Sequence, residues 1–507
     1  MKIKLIALSI VASALFLGAQ EPHNCGVDHE ADTQVKERML NNRSNISAEV
    51  IENIRSNRTT IYVPVTFHNI GLDNTDKNHE SYADLNLIFD TFCRLQEDYA
   101  VFGVQFYLNM PIRYIADTDL YNNSHDNNAY NTMGNHRVNG SLNIFVGPSV
   151  ESAVSSYYSP GEDFVFMLRS MMGYPSPTIW HEVGHFFSLP HTFYGWEDID
   201  ARDYAGGNSP SNLGWGSWVE EEPRTGGNCA YAADGFCDTP ADYISFRAAC
   251  PMNYDLRDPD GIAIDPDETN IMSYYMDECV SVFSTEQQNA IIADIVDRNW
   301  DNFPAPNLDV VSSSYTLDNQ YPEDDALIEI STSNGELTLT WDAVPNAAYY
   351  YVKIDSSHFN SNVNTKIGIL KRDVIEATAN PSYTLTYDEL LPYDKYRWTV
   401  VPFTLTGTCV DEHTFYRFDI TSTIGVIDLD NDDELSVYPT IISDANPYLK
   451  TTLDITKIEL LSINGGLVDE STNSLEALNM SSLANGVYYL KFYTEDAVLT
   501  RRVVVQH

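Results

Sequence analysis

Positive charge is what this sequence has least of: 29 Lys and Arg stand against 73 Asp and Glu over 507 residues, a net charge of −44. The acidic residues are scattered rather than gathered in one tail. A field of that sign repels phosphate backbones and anionic lipid, so nucleic acid is not expected as a partner; it suits a solvated extracellular surface or an affinity for divalent cations. Long apolar runs are equally scarce. After residue 20 no stretch approaches the ~20 apolar residues that a membrane-spanning helix needs, so no transmembrane segment is expected in the mature chain. Cysteine is sparse and odd in number, with Cys25, Cys93, Cys229, Cys237, Cys250, Cys279 and Cys409, which leaves at least one thiol without a partner.

The first twenty residues, MKIKLIALSIVASALFLGAQ, run from Lys2 and Lys4 through an apolar stretch to Gly18 and Ala19. That order reads as a secretory signal peptide over 1–20, and export makes disulfides permissible. A chain of 507 residues is too long for one hydrophobic core and is expected to divide into several domains. Residues 21–58 form a polar leader, with helical character around residues 32–40 and a basic tip at Arg55 and Arg58.

Residues 59–302 begin with a strand-like alternation, TTIYVPVTFHNI, followed by helical spacing of Leu85, Ile88, Phe89, Phe92 and Leu95. Strands are expected at 101–108 and 142–146, and a helix at 284–299, where Ser284 and Gln287 have capping-box spacing. A proline-spaced linker occupies 303–320. Short alternating strands over 321–427 predict an all-β sandwich, and 428–507 is a second all-β segment. The fold class expected is multidomain, an α/β (α+β) domain over 59–302 followed by two all-β sandwich domains.

The chemistry concentrates in TIWHEVGHFFSLPHTF, residues 178–193. His181 and His185 are four apart, so on a helix they project from one face and can reach one cation at ~2.0–2.1 Å. Glu182 sits beside the first ligand, where it can take a proton from a water that zinc polarises, for attack on a peptide carbonyl. Two histidines do not complete such a site. His191 can join only if the chain leaves the helix after His185, and Pro190 supports that break.

These residues resemble the pappalysin family of metzincin zinc metalloproteases, in the bacterial branch called cytophagalysins, over roughly residues 59–302. HEVGHFFSLPHTF carries the ligand motif, Asp234-Gly-Phe-Cys-Asp-Thr-Pro240 is similar to an Asp-Thr-Pro element, and Asn270-Ile-Met-Ser-Tyr274 is similar to the family's Met-turn. The usual glycine before the third ligand is Ser188 here, where the turn demands a positive φ that costs a residue with Cβ roughly 1–2 kcal/mol. The resemblance implies zinc held by His181, His185 and His191, catalysis by Glu182, oxyanion support from Tyr274, and Met272 as a floor beneath the ligands. It further implies a Cys250–Cys279 disulfide, makes Cys229–Cys237 a plausible local pair, and leaves Cys93 and Cys409 unassigned. Cys25 becomes the zinc ligand of a latent form, with 21–58 as a propeptide released near Arg55 or Arg58. Calcium is expected as a structural ion, the acidic residues around Asp234, Asp238 and 255–267 offering oxygen ligands.

Two further likenesses lie C-terminal. Trp341 and the LPYDKY motif at 391–396 resemble a fibronectin type III domain. LSVYPT at 435–440, SINGGLV at 462–468 and the segment 480–492 resemble the C-terminal sorting domain of type IX secretion, although Tyr-Pro-Thr-Ile replaces the usual Tyr-Pro-Asn-Pro. Together they imply a secreted or cell-surface protein, exported through the periplasm, with protein or peptide substrates and the secretion machinery as partners. The alternative is a surface adhesin on a catalytically weak scaffold; retention of Glu182 argues against it.

Overall fold

The computed structural model describes residues 26–57, 60–148, 156–173, 176–197, 228–257, 263–312, 314–331, 335–357, 367–390, 395–409, 415–423, 441–442, 456–463, 466–472, 483–493 and 498–505. The expected signal peptide, Cys25, Arg58, residues 391–394 and residues 435–440 lie outside the described residues. Contacts divide the chain into two units: Met1–Asp324 with Leu339–Tyr383 and Tyr396–Arg417, and Asp325–Thr338 with Thr384–Lys395 and Phe418–His507.

In chain order the first unit begins with helices α1 (His29–Asn45) and α2 (Ala48–Ser56), then β1 (Ile61–Gly71), α3 (Leu85–Ala100), β2 (Val104–Leu108) and β3 (Arg113–Ala116). Helices α4 (Thr118–Asn122) and α5 (Asn127–His136) follow, then β4 (Leu142–Gly147), β5 (Ser156–Ser159), β6 (Phe164–Leu168), α6 (Thr178–Phe186) and α7 (Thr285–Asp297). The sheet order is β2-β1-β4-β6-β5, with β3 pairing the end of β1. All pairs are parallel except the edge pair β5–β6. Strand β1 is buried at nearly every position, as expected for a central parallel strand covered on both faces.

Helix α3 lays Leu85, Ile88, Phe89, Phe92, Leu95 and Tyr99 into the core that β1, β2 and β4 line from the sheet. Their spacing of three and four makes one apolar stripe, and each such buried side chain contributes roughly 1.5–3 kcal/mol. Helix α1 enters the same core through Val35 and Met39. Helix α7 starts at the expected capping box, with Ser284 and Gln287 exchanging both bonds.

Further along come β7 (Ala326–Ser331), β8 (Glu336–Thr340), β9 (Tyr349–Ser357), β10 (Ile367–Glu376), β11 (Ser382–Thr386), β12 (Lys395–Phe403) and β13 (Tyr416–Thr423). Within the first unit β9 and β10 pair antiparallel, and Trp341 packs on Tyr350 and Trp398. Within the second, β7 and β13 pair parallel. In the same unit β14 (Ile441–Ile442), β15 (Lys457–Ser462), β16 (Leu467–Ser471), β17 (Gly486–Tyr493) and β18 (Val498–Val505) form one sheet of order β14-β18-β17-β15-β16. The chain is therefore a multidomain protein of mixed α and β content with several sheets.

Candidate metal centre

Helix α6 is fixed from both ends before it presents any ligand. Trp180 Nε1 donates to the Arg94 carbonyl at 2.9 Å, and the Tyr99 hydroxyl donates to the Trp180 carbonyl at 3.2 Å, tying α6 to α3. At the other end the Ser188 amide donates to His185 O at 2.9 Å and the Leu189 amide to Gly184 O at 3.0 Å. These are the two bonds of a Schellman cap, whose turning residue takes the left-handed conformation. That residue is Ser188, buried and at φ 63°. Arg298 Nη2 donates to the Phe186 carbonyl at 3.0 Å, and Arg38 Nη2 of α1 donates to the same oxygen. Because the chain reverses here instead of continuing the helix, His191 swings back beside His185.

The three Nε2 atoms converge: His185 to His181 at 3.1 Å, His185 to His191 at 3.1 Å, and His181 to His191 at 3.3 Å. Each Nδ1 faces an oxygen acceptor. His181 Nδ1 meets Ile271 O at 2.8 Å, His185 Nδ1 meets Leu189 O at 2.7 Å, and His191 Nδ1 meets Asp32 Oδ2 at 3.0 Å. Carbonyl oxygens only accept, so the protons of neutral His181 and His185 belong on Nδ1 and their lone pairs on Nε2; the Asp32 carboxylate, when ionised, places those of His191 in the same way. Three lone pairs at these separations repel unless a cation lies between them. Tetrahedral bonds of ~2.0–2.1 Å put neighbouring nitrogens roughly 3.3–3.4 Å apart, so the donor set fits zinc. Burial, the largest cause in each ring, lowers His181 to about 3 and His191 to about 4 and holds His185 well below its ordinary value, which keeps all three in the neutral, ligating form.

Met272 is fully buried, and its Sδ would stand 2.5 Å from a Cβ added at Gly184, so a larger residue there would have to displace the Met272 side chain. Met272 O accepts from the Thr192 amide at 3.2 Å, joining that turn to the segment carrying His191. The Tyr274 ring lies 5.7 Å from His181, 5.1 Å from His191 and 4.6 Å from Phe193 by ring centroids. Glu182 is buried and lines one cleft with His181, Thr178, Tyr274 and the ion pair of Arg247 with Asp277. His181, His185, His191, Glu182, Met272 and Tyr274 are thus brought together from two separated stretches, while Cys25 is outside the described residues.

The acidic Asp234-to-Asp238 stretch is used differently. Asp238 accepts from the Ser284 hydroxyl at 2.6 Å and the Glu286 amide at 2.8 Å, capping α7. Asp234 accepts from the Thr239 hydroxyl and the Phe236 amide. Among the described residues the groups of three or more His, Cys, Asp or Glu side chains able to hold an ion are the histidine triad and the set Asp32, His191 and Glu197. Disulfides join Cys250 to Cys279, Cys229 to Cys237, and Cys93 to Cys409.

Two buried carboxyls escaped the sequence reasoning. Asp242 accepts from the Thr192 hydroxyl at 2.7 Å and the Ile244 amide at 2.9 Å, and burial raises its carboxyl to about 6. Asp32, raised to about 7 by burial, supports His191 from α1. A signal for Asp32 existed, since it continues the apolar spacing of Val35 and Met39 as a charge on a core-facing stripe.

Residues 436–506 match the family described as Secretion system C-terminal sorting domain. A curated relative, an "Extracellular metalloprotease" of Colletotrichum graminicola, is 26% identical over 307 residues, covering 56% of this chain and 92% of the relative. Among solved structures, the N-terminal four Ig domains of Dscam1 isoform 4.44 align at TM-score 0.15 and 8% identity over 38% of this chain; the match spans less than half, 46%, of that one. The CsuC-CsuE chaperone-tip adhesion subunit pre-assembly complex of Acinetobacter baumannii aligns at TM-score 0.16 and 11% identity, over 36% of this chain and 96% of that one. At these scores neither likeness bears on the fold. The sorting-domain match marks a secreted or cell-surface protein, and among the described residues no helix is long and apolar enough to cross a membrane.

Proposed function

We propose that this is a secreted zinc endopeptidase of the pappalysin type, cleaving peptide bonds of extracellular proteins and made as a latent precursor. The observation that carries the proposal is the triad of Nε2 lone pairs within 3.3 Å of one another, each ring fixed by an oxygen at its other nitrogen. The relative named as an extracellular metalloprotease supports it. Zinc held by His181, His185 and His191 would supply Lewis acidity and bring a bound water's pKa towards ~7.

The remaining roles belong to the chain. Glu182, in the wall of the cleft, accepts the proton of the attacking water and returns it to the leaving amine. Tyr274 donates its hydroxyl proton in a hydrogen bond to the carbonyl oxygen as that oxygen gains charge. Thr178, Arg247 and Asp277 border the space for the substrate side chain next to the scissile bond. Before processing, the Cys25 thiolate would occupy the fourth position, and calcium would be bound by the acidic residues around Asp234, Asp238 and 255–267. Type IX export through 428–507 would deliver the protein outside the cell.

The processed wild type should hydrolyse casein, and Glu182→Ala should lose activity by at least ~100-fold, the lower range for a general base, with its metal retained. Equal hydrolysis by the two proteins would refute the assignment of Glu182.

A further inference from the structure

The three ligands are not supported alike. His181 and His185 lean on the main-chain oxygens of Ile271 and Leu189, which no substitution removes. His191 leans on a side chain 159 positions earlier, Asp32 of helix α1. Asp32 is fully buried and also receives the His191 amide, at 3.2 and 3.3 Å to its two oxygens. Behind it, Glu197 hydrogen-bonds the Asp32 carboxyl and is itself met by His29 Nδ1 at 3.0 Å.

The helix that carries Asp32 is anchored polar group by polar group. Asp28 caps its start, Arg38 reaches the Tyr158 hydroxyl at 2.7 Å and Asp294 at 3.0 Å, and Asn42 reaches Asp294 at 2.9 Å. Such a fixed frame can impose one ring orientation on His191.

We infer that Asp32 is a positioning residue of the metal centre: through helix α1 it fixes the tautomer and tilt of His191, so that full metal affinity requires this N-terminal helix in place. The inference rests on the zinc centre proposed above. It makes the leader more than a cover over the site. While α1 is seated, the third ligand is pre-aimed; once α1 is lost, His191 keeps its place in the chain but not the acceptor that directs its lone pair at the metal. Outer partners of ligating histidines are worth typically 10–100-fold in metal affinity.

The test is the zinc affinity of the full chain by chelator competition, with the visible spectrum of the Co²⁺ form and the melting midpoint of the EDTA-treated protein. Asp32→Ala should weaken zinc about 10–100-fold and alter the Co²⁺ spectrum while the metal-free protein still melts cooperatively. Asp32→Asn should stay within about threefold of wild type, because its carbonyl oxygen can accept from His191 Nδ1 as the carboxylate does, while its amide can donate to the Glu197 carboxylate. Wild-type affinity in folded Asp32→Ala would overturn the inference. So would equal losses in both variants, or two metals per chain of which one depends on Asp32, which would make the carboxylate a ligand in its own right. Should Asp32→Ala fail to fold, Asp32→Ser replaces it with the same expected and contrary results. A wild type that binds no zinc at all would bring down the proposed function, and this inference with it.

Discussion

At the scale of single residues, Ser188 shows how a constraint can be read and its solution not. The spacing of His185, His191 and Pro190 requires a turn, and the turn requires a left-handed residue; serine occupies it at φ 63°. The cap hydrogen bonds and burial hold serine there, with only a long 3.5 Å contact from Asn42 to its hydroxyl as a side-chain partner. Ser188→Gly should therefore stabilise the metal-free protein by about 1 kcal/mol in urea unfolding. A variant less stable than wild type would mean that the hydroxyl matters more than the backbone. The meeting of His181 with His185 was legible because four-residue spacing on a helix is a local geometric statement. Asp32 and Asp242 were not, since their value lies in partners brought by the fold from distant positions.

At the scale of elements, segments with a clear apolar pattern were readable and those without one were not. Helices α3 and α7, and strands β1, β2 and β4, were visible in the alternation or the three-and-four spacing of their apolar residues. Strands β3, β5 and β6 and helices α4 and α5 were missed; they are four to ten residues long and carry too few turns or alternations to stand out. The role of Asp238 was also hidden, because capping α7 from a loop 46 positions earlier leaves no local pattern. Helix α1 matters most for the leader. Its buried face of Asp32, Val35, Lys36, Met39 and Asn42 packs it into the first unit. Cys25→Ala should cleave casein without processing; a variant as latent as the wild type would remove the thiolate from the proposal.

At the scale of the whole molecule, the odd cysteine count resolves into three disulfides plus Cys25. The Cys93–Cys409 bond, across 316 positions, joins α3 to the segment after β12 within one unit, where Thr408 also donates to Phe89 O at 2.9 Å. Sequence spacing alone could not suggest a pair so far apart, whereas closing such a loop typically contributes ~2–4 kcal/mol. The C-terminal segment acts at this scale too. Deleting residues 435–507 should leave the protein in the periplasm by cell fractionation, and undiminished release into the medium would contradict a sorting role for that segment.

Everything above turns on one cation among three rings, and metal content measures it directly. By elemental analysis of purified, dialysed protein the account predicts one zinc per chain in the wild type and in Glu182→Ala, and none in His185→Ala. Zinc absent from the wild type, or kept at one per chain by His185→Ala, would contradict it.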